Sequence, residues 1–311
     1  MAPSANNEPA LETLRQHGRS FHWAGRLLAP AVRMRCARLY AICRSIDDMA
    51  DLAITEEAKA LARTRLGELV DALAERDTTH PVVAEADDLF GADDHAWRAL
   101  EHLTATALTD IGRVRITSDD ELHAYADGVA GTVGVMMAGV LDSRDGPETR
   151  AAARALGMAM QFTNIARDVL EDARYDRLYL PADWLGPHVT PEAVASGEPW
   201  ARASAWQAVQ RLLAHAEASY ESGWQGLLDL PPRSRLAIAV ASHVYRRIGR
   251  RILARGEEAF WRGRYHVGTS GKILASVRGL RLYLRTSRPI RNASPRDRRA
   301  TLANGHQSDE R

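Results

Sequence analysis

Apolar positions recur at three- and four-residue intervals along most of the 311-residue chain. This period predicts helices over roughly 32–51, 56–76, 81–90, 94–112, 119–142, 148–175, 199–226, 233–256 and 270–285. A shorter helix through FHWAGRLL is expected to be capped by Ser20 and to end near Pro30. Long β-branched runs are scarce, so the pattern predicts an all-α chain. No repeat or linker interrupts it. One domain is expected over 17–286, preceded by a flexible leader at 1–16 and followed by a polar, fraying tail at 287–311.

Within 119–142, Gly128, Gly131, Gly134 and Gly139 interrupt a stretch otherwise suited to helix. Each internal glycine costs about 1 kcal/mol relative to Ala, so a gain in packing is expected. Two readings stand side by side: close contact between helices, and small residues leaving room for a long ligand. The spacing is not a phosphate loop, because no GxGxxG follows a strand.

The most informative polar pattern is QFTNIARDVLEDARYDRLYLP at 161–181. Asn164, Asp168 and Asp172 stand four apart, which places them as a ladder on one helical face. Arg167, Glu171, Arg174 and Arg177 are interleaved. In YAICRSIDDMAD, Asp47 and Asp51 are again four apart, with Arg44 one turn earlier. A lone Arg–Asp pair at this spacing is most simply a surface ion pair. A second four-spaced acidic ladder in an apolar helix shifts that balance. Two such helices facing one another would line a cleft with oxygens, as Mg2+ requires. The cation would draw charge from a leaving diphosphate, and Arg44, Arg167 and Arg177 would bind phosphate oxygens. An apolar, aromatic-lined cavity beside it would shield a carbocation. His17, His22 and His123 are too scattered to assign a metal site.

Composition adds exclusions. Forty-one basic and forty acidic residues give a net charge of +1, which offers no general case for nucleic acid. The short basic–aromatic run FWRGRYHVG at 260–268 has low specificity for it. Cys36 and Cys43 are too few for a disulfide framework and read as reduced core residues of a cytoplasmic protein. The N-terminus lacks the pattern of a secretory signal, and no apolar run is long enough to span a membrane.

Taken together, Ser20–Phe21, LYAICRSIDDMAD, YADGVAGTVG at 125–134 and QFTNIARDVLEDARYDRLYLP resemble, in order, the motifs of the squalene/phytoene synthase family of head-to-head prenyltransferases. The resemblance runs over roughly 17–285 and is most like a bacterial phytoene synthase. It implies an isoprenoid-synthase helical bundle around a central hydrophobic cavity. It also implies that Asp47, Asp51, Asn164, Asp168 and Asp172 hold Mg2+, with Mn2+ as the alternative, and that Asp48 and Glu171 are second choices. Arg44, Arg167, Arg177 and Lys272 would serve the diphosphates. Ser20, Phe21, Tyr40, Tyr125 and Tyr245 would line the reacting site.

The implied reaction joins two allylic diphosphates through a cyclopropylcarbinyl diphosphate. Loss of the second diphosphate and then of a proton gives phytoene or dehydrosqualene, while hydride from NADPH gives squalene. No dinucleotide fingerprint is present, so no NADPH is expected. If Gly25, Ala37 and Ala41 face the channel, their small size favours two geranylgeranyl diphosphates and a C40 product over farnesyl diphosphate and C30. Lipophilic substrate and product predict peripheral association with a membrane face and contact with downstream carotenoid enzymes. Three alternatives remain open at this point: a terpene cyclase, a head-to-tail prenyltransferase and a non-catalytic helical lipid-binding protein.

Overall fold

The computed structural model describes residues 7–263 and 269–286. Among these residues the chain is almost entirely helical. The helices are α1 (Asn7–His17), α2 (Arg19–Gly25), α3 (Pro30–Asp51), α4 (Glu56–Glu75), α5 (Pro81–Phe90), α6 (Asp94–Thr109), α7 (Asp119–Ala126) and α8 (Thr132–Val140). They continue as α9 (Pro147–Arg174), α10 (Ala182–Leu185), α11 (Pro191–Ser196), α12 (Pro199–Gly223), α13 (Pro232–Phe260) and α14 (Thr269–Thr286). A π-helical turn, Asp127–Gly131, joins α7 to α8.

Local chemistry explains the boundaries. Proline opens α3, α5, α9, α11, α12 and α13, where its missing N–H has no helical partner to lose. Thr55 and Asp93 cap α4 and α6 by accepting from backbone N–H groups. Ser118 caps α7 by accepting from Glu121 N, while the Glu121 carboxylate accepts from Thr117 N and Oγ1 at 2.7 and 2.6 Å. This variant of a capping box fixes the start of α7.

α9 runs through the bundle, packed against α8, α11, α12 and α13. Two large apolar clusters form the core. One gathers Phe162, Ile165 and Val169 of α9 with Val209, Leu212 and Leu213 of α12. The other joins Leu39 and Ile46 of α3 to Leu66, Leu69 and Leu73 of α4, Trp97 and Leu100 of α6, and Met136 of α8. Each such side chain contributes about 1.5–3 kcal/mol on full burial. On α4, Leu66, Leu69 and Leu73 are buried while Leu61 is exposed.

Three expectations change at the N-terminal end. Residues 7–16 are not a loose leader: α1 docks on α3 through Ala10 and Leu14, which bury against Ala37. Ala37 is small because α1 lies across it, so it does not supply open channel space. The cap of α2 is Gly18, not Ser20, which sits inside the helix.

The glycines of α7–α8 serve close packing. A Cβ on Gly134 would stand 2.1 Å from the Ala153 carbonyl oxygen, and one on Gly157 would stand 2.0 Å from that of Ala130. α8 and α9 therefore meet backbone to backbone. At Gly128 and Gly131, Thr106 and Asp127 fill the same space. The reading of these glycines as room for a ligand is corrected accordingly.

A feature absent from the helical reading is a two-residue parallel pair, β1 (Val114–Arg115) with β2 (Arg177–Leu178), in register Val114↔Arg177. Asp176 precedes β2 at φ 57°, a left-handed conformation that Asp tolerates better than most residues. Arg115 donates to the Asp176 carbonyl oxygen at 2.5 Å and also to its carboxylate. This turn reverses the chain after α9 and aims Arg177 back towards the bundle.

Candidate active site

The last two turns of α3 carry Asp47, Asp48 and Asp51, and Asp51 is close enough to couple to Asp172 of α9. Arg44 is 2.7 Å from Asp47 and also pairs with Asp48. Asp47 exposes more than half of its side chain, yet much of the surrounding volume is protein rather than water. That desolvation, followed by the charge of Asp51, pushes its carboxyl up to about 7 despite Arg44. Such a group is costly to ionise without a cation beside it.

On α9, Asn164, Asp168 and Asp172 form the expected ladder. Arg167 grips Asp168 with two donors, Nε at 2.8 Å being one. Burial alone would lower the Arg167 value, but the Asp168 partner outweighs it and raises it. Asp172 is lifted well above the usual carboxylate range, first by burial and then by Asp168, with Asp51 contributing from α3. Asn164 Nδ2 reaches Gln161 Oε1 at 3.4 Å, while its buried Oδ1 lacks a hydrogen-bond partner among the described residues. A buried orphan oxygen is normally satisfied by an ion or water. Beside carboxylates that resist ionisation, it completes an oxygen donor set suited to a hard divalent cation.

The two ladders are joined by Arg177, which donates to Asp51 Oδ1. The electrostatic coupling of Asp172 to both Asp51 and Arg177 places the acidic groups of α3 and α9 around one cleft. Each face therefore carries its own arginine, and a third bridges them.

Asp110, at the end of α6, and Tyr179, just after β2, escaped the sequence reading. Half-buried Asp110 accepts from Tyr125 OH at 3.0 Å and from Tyr179 OH at 3.2 Å. The two rings stack with centroids 4.9 Å apart. Burial raises the Asp110 carboxyl, while the phenols and Arg177 oppose the shift. Tyr179 lies inside the quoted motif, so its position was a usable signal. Asp110 is a lone carboxylate at a helix end, with nothing periodic to mark it. Tyr125, proposed as a direct site residue, is held in this network on the Arg177 side.

A second aromatic group closes the other side. Phe21 of α2 lies 5.1 Å from Tyr245 of α13 and 6.3 Å from Tyr40 of α3, centroid to centroid. Burial pushes Tyr40 up to about 12. Burial also raises Tyr245, whose charged neighbours are Arg167 and Asp168. These three rings thus stand beside the α9 ladder, with Ser20 adjoining Phe21 on α2. Lys272 belongs to α14, but its side chain lies outside the described part of the structure.

Two cavities, of about 230 and 250 Å³, lie elsewhere. The first, between α13 and α14, is rich in arginine; the second lies by His95, His102 and Arg154. Neither is the apolar channel that the motifs imply. A Cβ on buried Gly25 would meet only Arg33 Cγ, at 3.8 Å, so this glycine does leave space beside it.

The helical architecture and the paired acidic helices define an isoprenoid-synthase type of protein. A solved dehydrosqualene synthase shares the fold with a TM-score of 0.73 at 21% identity, over 90% of this chain and 97% of that one. The squalene/phytoene synthase family profile matches residues 14–270. A phytoene synthase of Pseudescherichia vulneris is 39% identical over 85% of this chain and 87% of its own length. A 15-cis-phytoene synthase of a Paracoccus species is 38% identical over 83% and 85% respectively. The chain belongs to the squalene/phytoene synthase family.

Proposed function

We propose that this protein is a phytoene synthase that couples two geranylgeranyl diphosphates head to head through a cyclopropyl diphosphate. The observation that carries the reading is the meeting of the two acidic ladders of α3 and α9 across the Arg177–Asp51 pair. The names of the bacterial relatives support the C40 choice. The Ala37 argument no longer contributes to that choice.

Asp47, Asp51, Asn164, Asp168 and Asp172 would hold Mg2+, or Mn2+ in its place. The bound cation supplies charge that stabilises a departing diphosphate. Arg44, Arg167 and Arg177 neutralise carboxylates in the cation-free protein. With a cation bound among those carboxylates, the same guanidinium groups would be free to hold phosphate oxygens. Arg177 acts at the junction, where it can reach either face. Phe21, Tyr40 and Tyr245 exclude water and offer ring faces to a carbocation. Asp110 orients Tyr125 and Tyr179 on the opposite side. Proton loss at the end needs no protein base, because the released diphosphate can accept it.

Among the described residues no helix is long and apolar enough to cross a membrane. α14 exposes Leu274, Val277, Leu280 and Leu284, with Arg278 and Arg281 also exposed. This face supports peripheral contact with an anionic bilayer, where the lipophilic product and downstream carotenoid enzymes would meet. Flotation with anionic and neutral vesicles tests it, and indifference to both rejects it.

The deciding experiment for the reaction is mass analysis of products from purified protein given C20 and C15 diphosphates separately, with Mg2+, with and without NADPH. Phytoene from the C20 substrate is expected in both cofactor conditions. Exclusive C30 product would reassign the substrate, and absence of diphosphate release would reject catalysis.

A further inference from the structure

Outside the set of carboxylates assigned to the diphosphate cleft, three side chains from two helices converge. Asp119 opens α7, His123 follows one turn later, and His215 comes from α12. One ligand atom from each lies within 4.8 Å of the others. The i,i+4 spacing sets Asp119 and His123 on one face. His123 was too isolated in the sequence to suggest a metal site, because its partner imidazole is remote along the chain.

The hydrogen bonds prepare these groups as ligands. His123 Nδ1 is 2.9 Å from the Asp119 carbonyl oxygen. That contact assigns the proton to Nδ1 and leaves the Nε2 lone pair available, the arrangement commonly found behind a metal-bound histidine. Asp119 Oδ1 is buried, 3.6 Å from His123 Nδ1, and makes no hydrogen bond among the described residues. Its Oδ2 stands 3.8 Å from Arg211, whose guanidinium lies 4.3 Å over the Trp184 ring. Arg211 thus addresses the second oxygen and is held aside by the indole. Aromatic walls surround the imidazoles: Phe162 is 5.2 Å from His123, and Trp184 is 5.4 Å from His215.

We propose that Asp119, His123 and His215 form a second metal site, which takes a borderline divalent ion of the Zn2+ class and clamps α7 to α12. Two imidazoles and one carboxylate suit Zn2+, Co2+ or Ni2+ better than Mg2+. Bonds of about 2.0–2.1 Å in a tetrahedral site place ligand atoms about 3.3 Å apart. Side-chain rotation closes the present gap, and a water takes the fourth position. The clamp has a route to the cleft. Tyr125 is two residues beyond His123, and Phe162, against His123, precedes Asn164 by two on α9. A filled site would stiffen both supports.

The test uses full-length protein, stripped with chelator and titrated with Zn2+ and Co2+ in excess Mg2+ to occupy the acidic cleft. Wild type is compared with His123→Gln, His215→Gln and, as a cleft control, Asp168→Asn. One Zn2+ per chain is expected, with a rise in Tm of a few degrees and ligand-field bands in the Co2+ form. Each His variant should weaken Zn2+ binding by at least about tenfold and lose the bands, whereas Asp168→Asn should retain both. Circular dichroism of the apo variants checks folding. If Zn2+ affinity is unchanged in folded His variants, or if wild type binds none in excess Mg2+, the proposal is overturned.

Discussion

Arg177 donates to Asp51 and so ties the strand after α9 to the final residue of α3. The bond links positions far apart in sequence, across the groove where the proposed diphosphate binds. Its strength is set less by the pair itself than by its neighbours. Asp51 is 38% exposed, a setting in which an isolated ion pair contributes little to stability. The Arg177→Gln variant should therefore melt within a few degrees of wild type. Its kcat/KM should fall by about 10²–10³, the usual effect of losing one donor to a developing anion. Steady-state kinetics beside thermal melts check this; kinetics equal to wild type would deny Arg177 its role.

The carboxylate ladder predicts opposite effects on stability and activity. Asp172 is half-buried beside Asp168 and, more remotely, Asp51, so its charge is unwelcome in the cation-free protein. Asp172→Asn should raise the Tm of chelator-treated protein by a few degrees, because the amide carries no charge. The same change removes a proposed cation ligand and should lower single-turnover formation of the cyclopropyl intermediate by at least about 10²-fold. Asp168→Asn should lose activity similarly. There the stability gain should be absent, since Arg167 already satisfies that carboxylate. A variant at Asp172 that keeps full single-turnover activity would remove it from the cation site.

Both ladders were legible in the sequence because four-residue spacing on a helix dictates a common face. The helices that carry them were legible for the same reason. What the pattern did not reveal depends on contacts between remote segments. Asp110 becomes part of the site only because Tyr125 and Tyr179 fold onto it from two later elements. Ala37 looked like channel lining until α1 was found lying across it. Likewise, the four-residue period cannot say whether Gly134 faces a ligand or the backbone of α9; the 2.1 Å approach to Ala153 decides it.

That approach makes a direct prediction. In Gly134→Ala, the new methyl would fall against a backbone carbonyl, which cannot rotate away as a side chain would. α8 and α9 must separate locally, at a cost of about 1–3 kcal/mol for overpacking a tight contact. A lower denaturant midpoint is expected, without a change in substrate chain-length preference. A shift from C20 to C15 use at unaltered stability would instead revive the ligand-space reading of this glycine.

Tyr179→Phe separates positioning from binding. Phenylalanine keeps most of the stacking on Tyr125 but removes one donor to half-buried Asp110. The remaining Tyr125 bond leaves the carboxylate partly satisfied, so a loss of about 0.5–1.5 kcal/mol is expected. Tyr125→Phe should cost a similar amount, and the double variant more than the sum, because Asp110 would then lose both phenols. Urea unfolding of the three variants measures the coupling. Strict additivity would show that the phenols do not share Asp110 in the way the hydrogen bonds indicate.

His243 supplies a pH dependence independent of the acidic cleft. Its ring stacks on Trp224 with centroids 4.9 Å apart, and Nδ1 lies 3.0 Å from the Ala239 carbonyl oxygen. Burial brings its value down to about 4, with Arg246, Arg250 and Arg278 adding repulsion against the Ala239 bond. The unfolded chain takes up this proton near the ordinary imidazole value of 6.5. Between the two values, the unfolded state binds more protons, so stability rises with pH across that window and falls as the solution is acidified. Urea midpoints for wild type should therefore drop between about pH 7.5 and pH 5 by more than those of His243→Gln, which cannot be protonated there. The difference between the two drops isolates His243 from the other titrating groups. Equal drops would mean that the folded imidazole protonates as readily as the unfolded one, contrary to its stacked and arginine-ringed setting.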